Sequence, residues 1–215
     1  MRRALVALTM LALSTAAPAA AQPAVIPGLF NTGVDGAGNP MANGSTDTHY
    51  TIAGSPTQVI NISAGCKHPA WVTPTAACWI WQNADGNPGG VTRDLRLTFD
   101  LTGLNASTAQ ISGFWSTDNQ GNDILINGTS TGNFSPSFTA LTPFSISGGF
   151  VAGINTLDFR VQDFGAPSGL LVQGLRGTAE LANTTVPEPG TYALMAAGLF
   201  GLGVVRVRRR KNIVA

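Results

Sequence analysis

Histidine, cysteine and tyrosine each occur only twice in the 215 residues, and charged side chains make up 11% of them. So few histidines leave little from which to build a base-assisted nucleophile, and neither His49 nor His68 lies in a Gly-x-Ser-x-Gly context. A triad assembled from distant segments stays compatible with the composition, but nothing local points to one, and the chain is expected not to be an enzyme. No repeat of 20–50 residues is present. No segment before Tyr192 carries a helical period, which argues against a helical bundle. Basic residues are also scarce where they would matter. Arg2 and Arg3 lie at the start, and Arg206, Arg208, Arg209, Arg210 and Lys211 lie at the end. Between them stand only Lys67, Arg93, Arg96, Arg160 and Arg176 against all eleven acidic residues, a net charge of −6. Such a middle excludes nucleic acid as a partner, because phosphate binding needs a basic face that releases counterions.

The ends carry what the middle lacks. Met1-Arg2-Arg3 is a short positive start, Ala4 to Leu13 an apolar run, and Ala19-Ala20-Ala21 a small-residue cleavage site. This pattern predicts a signal peptide over 1–21, cut after Ala21 and exported by the Sec machinery. Arg2-Arg3 sits too close to the start, without surrounding consensus, to be a twin-arginine signal. At the other end, Val186-Pro187-Glu188-Pro189 precedes an apolar run from Tyr192 to Val205, and the Arg cluster follows. The prolines disfavour helix before the run, which is then free to be helical. A helix over 192–205 reaches about 22 Å, a little short of a hydrocarbon core. The terminal Arg residues would hold the C-terminus in the cytoplasm and leave the preceding domain outside.

Residues 186–211 resemble the PEP-CTERM sorting signal. The resemblance rests on Val186, Pro187, Glu188 and Pro189, the transmembrane helix 192–205, and Arg206, Arg208, Arg209 and Arg210, in that order at the very end. It implies recognition by exosortase, a membrane-embedded transpeptidase, and cleavage near Pro-Glu-Pro. The protein would pass through an inner-membrane intermediate to the cell surface or the medium, in a cell that makes an exopolysaccharide. The same tail is sometimes labelled an ice-binding protein C-terminal domain, but no regular Thr-x-Thr array supports ice binding here. A plain tail anchor is the rival reading, which the shortness of the run and the Pro-Glu-Pro disfavour.

Residues 22–185 are expected to form one β-sandwich. Leu95, Leu97, Phe99 and Leu101 alternate with Arg96, Thr98 and Asp100, and Leu157, Phe159 and Val161 alternate with Asp158, Arg160 and Gln162. Strict period two is the mark of a half-buried strand. Further strands are expected at 111–115, 123–126, 137–141, 144–150, 169–175 and 177–181, with a tight turn at Asn127-Gly128. Short strands separated by Gly, Asn and Pro suit an antiparallel sandwich or jelly roll. The stretch from Arg93 to Leu181 is similar to galactose-binding-like jelly rolls. The likeness lies in Asp118, the apolar Ile124–Ile126 before Asn127-Gly128, and Gly153-Ile-Asn155-Thr-Leu157. It implies a fold that includes carbohydrate-binding modules, and also accessory domains without a ligand.

Four candidate sites follow. Cys66 and Cys78, in an exported segment, favour a disulfide; the sharper alternative is zinc on Cys66, His68, Cys78 and His49, whose spacing fits no standard motif. Asp118, Asn119, Asn122 and Asp123 offer hard oxygen ligands for a structural calcium, as do Asp35 to Asn39 and Asp47, though neither follows the EF-hand pattern. The competing reading is turn chemistry. The pair Asp118 and Asp123 also supplies two carboxylates of the kind glycosidases use, but on a loop. Trp79 and Trp81, two apart, share a strand face, and with Trp71 they either rim a sugar site or pack over the core edge. Trp115 is expected in the core. The functional expectation is a non-catalytic carbohydrate-binding or matrix-associated domain, with an exopolysaccharide or other glycan as partner. The alternatives are a purely structural surface protein acting through protein contacts and, third, a jelly-roll enzyme.

Overall fold

A computed structural model of the protein describes residues 23–182, 190 and 192–199. The expected signal peptide with its Ala21 cut, the residues Val186 to Pro189 and the Arg206–Lys211 cluster lie outside the described residues. The chain divides into two units, one being Ala21–Ala182 and the other Met1–Ala20 with Asn183–Ala215. In the second unit the described helix covers 192–199, with exposed side chains. The remainder of the helix expected over 192–205 falls outside the described residues. Among the described residues no helix is long and apolar enough to cross a membrane.

The first unit is built from eleven strands. They are β1 (Pro23–Val25), β2 (Thr46–Ile52), β3 (Ser55–Val59), β4 (Ile80–Trp81), β5 (Thr92–Asp100), β6 (Gln110–Asp118), β7 (Gln120–Ile126), β8 (Thr129–Ser130), β9 (Thr142–Ile146), β10 (Ile154–Gln162) and β11 (Gly169–Glu180). Their order is β8-β7-β10-β5-β2-β3-β4-β11-β6-β9, with β1 added on β11, and every pairing is antiparallel.

The sheet curls on itself, and its two halves share one core. Leu95, Leu97 and Phe99 of β5 and Leu157, Phe159 and Val161 of β10 are buried. Ile111 and Trp115 of β6 and Phe144 of β9 are buried with them, and Phe159 lies 5.7 Å from the Trp115 ring and 5.8 Å from Phe144. This is the expected sandwich, with Trp115 in its core. One feature differs from two separate sheets, because the halves stay hydrogen-bonded along one side. The seam consists of two rungs from β3 to β4, Gln58↔Trp81 and Val59↔Ile80, and one from β4 to β11, Leu170↔Ile80.

Strand boundaries follow the alternation closely where it is strict. The expected turn at Asn127-Gly128 joins β7 to β8, with both residues at positive φ, the primed-turn geometry that matches strand twist. The segments expected at 169–175 and 177–181 are one strand, β11, carrying a register shift between Gln173 and Arg176. The strand expected at 137–141 is instead a loop, held by Ser137 Oγ, which accepts from the Thr139 amide, and by the Ser137 carbonyl, which accepts from Ser116. Here side-chain partners take the place of a ladder.

Candidate functional site

The ligand-rim expectation rests on the tryptophans. Trp79 and Trp81 have no exposed surface and Trp71 only 3%. Each indole N–H is satisfied inside the fold: Trp79 donates to the Val72 carbonyl, Trp81 to the Pro88 carbonyl, and Trp71 to Asp118 Oδ2 at 2.7 Å. Trp71 and Trp79 pack with centroids 4.4 Å apart over Gly169, where a Cβ would meet both rings within 2.9 Å. The rim expectation is thereby corrected. A ring enclosed on both faces has no free surface for a sugar, and the two tryptophans around the seam act as core.

The cysteines form the expected disulfide, Cys66–Cys78, with Cα atoms 5.3 Å apart. That excludes the zinc alternative, since both sulfurs are bonded to each other. The histidines are engaged elsewhere: His49 stacks on Phe30 beside Asp47, and His68 Nδ1 accepts from the Ala70 amide.

The four residues offered for calcium all make hydrogen bonds within the sandwich. Asp123 accepts from the Gly132 amide, beside β8. Asn122 donates to Gln162. Asn119 accepts from the Phe164 amide, and Asp118 takes the Trp71 indole. Asn122 Oδ1 accepts from Gln120, so each of the four has one oxygen engaged in a contact within the sandwich. Asp35 closes its own turn with the Ala37 and Asn39 amides, which lower its pKa, while the buried Asp47 holds the Gly33 and His49 amides. Among the described residues no group of three or more His, Cys, Asp or Glu side chains is placed to hold a metal.

Asp118 belongs with a residue that sequence inspection passed over, Asp163. Asp163 continues the inward phase of Leu157, Phe159 and Val161 and is buried at the end of β10. Its Oδ2 accepts from the Gly90 and Gly165 amides, and its Oδ1 has no partner among the described residues. Burial, together with the nearby Asp163 charge, pushes the Asp118 carboxyl up to about 6, while the Trp71 indole pulls the other way.

The outer face of β5 and β10 is charged and ordered by register. Arg96 faces Asp158, and Arg160 faces Asp94. Both pairs are bidentate: Arg96 reaches Asp158 at 2.6 and 2.8 Å, and Arg160 reaches Asp94 at 2.9 and 2.8 Å. The Arg96 and Arg160 guanidiniums are raised in pKa by these hydrogen bonds. Where this face meets the turn after β2, an open cleft of about 370 Å³ is lined by Thr51, Thr92, Arg93, Asp94, Arg96 and Asp158 among others. The alternation in the sequence marked these charges as outward. It did not show which would lie opposite which, because register is set by strands far apart in the chain.

Comparison with known proteins bears mainly on the tail. No curated protein matches the sequence. One similar solved structure is a Stig cyclase, Fisc from Fischerella sp. TAU, crystallised in complex with (3Z)-3-(1-methyl-2-pyrrolidinylidene)-3H-indole. It is 12% identical over 75% of this chain and 100% of that one, with a TM-score of 0.40. At that similarity it carries no functional weight. Residues 185–210 match the PEP-CTERM protein-sorting motif, the mark of an exosortase substrate carried by a β-rich ectodomain.

Proposed function

We propose that the sandwich is the exported cargo of this tail and serves, without catalysis, as a matrix-associated domain at the cell surface. The observation that supports it is the sorting motif over 185–210, directly after a disulfide-closed β-sandwich. A disulfide suits an oxidising compartment, and the acidic middle between basic ends fits a domain that leaves the cytoplasm while its ends do not. Glycan association belongs to this reading, through polar groups on the outer sheet face, since the tryptophans are enclosed. Loss of exosortase from the host should leave the full-length protein in the inner membrane with its tail intact, seen by fractionation and intact-mass measurement. Unchanged release of a trimmed protein from that strain would overturn the sorting route.

A further inference from the structure

The charges on the outer face of β5 and β10 are spent on each other, Arg96 on Asp158 and Arg160 on Asp94. The next row along β10 carries no charge. Gln162 is the outward residue after Arg160, and it stands opposite Thr92 of β5 and Gln120 of β7. The β7–β10 register shifts between Arg160 and Val161, so β7 has one extra residue there, Asn122. That bulge brings a third amide to the row. Gln120 Nε2 donates to Asn122 Oδ1 at 2.8 Å and to Gln162 Oε1 at 3.4 Å, and Asn122 Nδ2 donates to Gln162 Oε1 at 2.9 Å. The network orients the three side chains and leaves Gln162 Nε2 and Gln120 Oε1 without a partner among the described residues.

Phe164 continues this row. Asp163 takes the inward position after Val161 and its amide donates to the Val91 carbonyl, so Phe164 follows on the outward phase. Phe164 is 65% exposed, more than any other aromatic residue of the sandwich. Its backbone is nevertheless pinned. The Phe164 amide donates to Asn119 Oδ1 at 2.7 Å, the Gly165 amide to Asp163 Oδ2 at 2.9 Å, and the Asn119 amide to the Gln162 carbonyl. A ring left in water adds little burial to the fold, and here it is held on a fixed support beside three oriented amides. Two residues of extended chain separate it from Gln162, about 7 Å, a distance that one sugar ring spans.

Each group matches a different part of a sugar. A pyranose with equatorial hydroxyls has a flat face of C–H groups, which packs on the negative face of a phenyl ring. Its neighbouring hydroxyls each donate and accept, and so fit an amide N–H set beside an amide oxygen. An anionic polymer gains nothing from this row, which holds no free cation, and the stretch between the two basic ends repels it with a net charge of −6. We propose that Phe164, with Gln120, Asn122 and Gln162, forms a platform for a neutral polysaccharide of equatorially substituted hexopyranose units, one ring stacking on Phe164. The inference rests on the matrix reading above and gives its glycan a place and a chemistry.

The test is binding of the full chain to cellohexaose by calorimetry, in micelles of a detergent without a sugar headgroup. Polygalacturonate serves as the acidic comparison. Saturable binding of cellohexaose is expected, unchanged when the salt is raised to about 0.5 M, because no ion pair is formed. Phe164→Ala should weaken it at least about tenfold, with the melting temperature unmoved, and Phe164→Trp should keep it. Gln162→Leu should weaken it as well, while Phe114→Ala, an exposed ring on β6, should leave it unchanged. No saturable binding of cellohexaose, binding that survives Phe164→Ala intact, or tighter binding of polygalacturonate would overturn the assignment. Sorting is read separately in the exosortase-deficient host, so failure of binding with normal sorting removes this inference and leaves the sorting route standing.

Discussion

Asp118 shows how a single side chain can set a pH response. Its folded pKa of about 6 stands above the ordinary carboxylate value of 3.8, chiefly through burial. The folded state therefore holds a proton that the unfolded chain has already lost between these values. Stability attributable to this group is full below about pH 4 and declines as the pH rises through 6. Asparagine keeps an acceptor for the Trp71 indole and removes the charge. Asp118→Asn should accordingly raise the melting temperature at pH 7.5, with the gain shrinking towards pH 4. A gain that did not vary with pH would show that Asp118 is not the titrating group.

At the scale of elements, the disulfide loop is where local sequence and distant packing meet. Cys66 and Cys78 close a short loop that carries Trp71, and the Cys66 carbonyl accepts the Trp79 amide. Loops of this size are stabilised by about 3 kcal/mol when closed, in the chain-entropy model. Replacing both cysteines with alanine should lower the urea midpoint by a corresponding amount, and an unchanged midpoint would mean that the seam holds the loop without the bond. The pairing of these cysteines was legible because only two exist. The strands β5 and β10 were legible because their apolar residues alternate without interruption, and β7 because its apolar run Ile124–Ile126 ends at the Asn127-Gly128 turn. By contrast, β2 was hidden: its inward positions include Asp47, and its pairing with β3 shifts register between Asp47 and Thr51. The two-residue β4 is too short to show a period at all. The tryptophans misled for a related reason. Two aromatic residues at i and i+2 define a shared direction, but which direction is inward depends on β3 and β11, which are remote in sequence.

For the whole molecule, the separation of charge is the property most easily followed. The intact chain has a sequence pI near 7.8, yet seven of its twelve basic residues sit in the segments expected to be removed. A mature surface form should therefore focus well into the acidic range, below an inner-membrane form that has lost the signal peptide but keeps the basic tail. Two-dimensional gels of surface and inner-membrane fractions would separate them, and a surface form that focused together with the inner-membrane form would show that the basic tail had been kept. The sandwich also has a mechanical character, which its last strand determines. β11 runs twelve residues through the fold, flanked by β1 and β4 on one side and by β6 on the other. Just past its end, Leu181 bridges Leu104 and the Ala182 amide is held by the Gly103 carbonyl. A pull along the strand from this end would load the rungs of three neighbours together in shear, instead of peeling them one at a time. A domain tethered through this end would yield abruptly under load, as a rivet does.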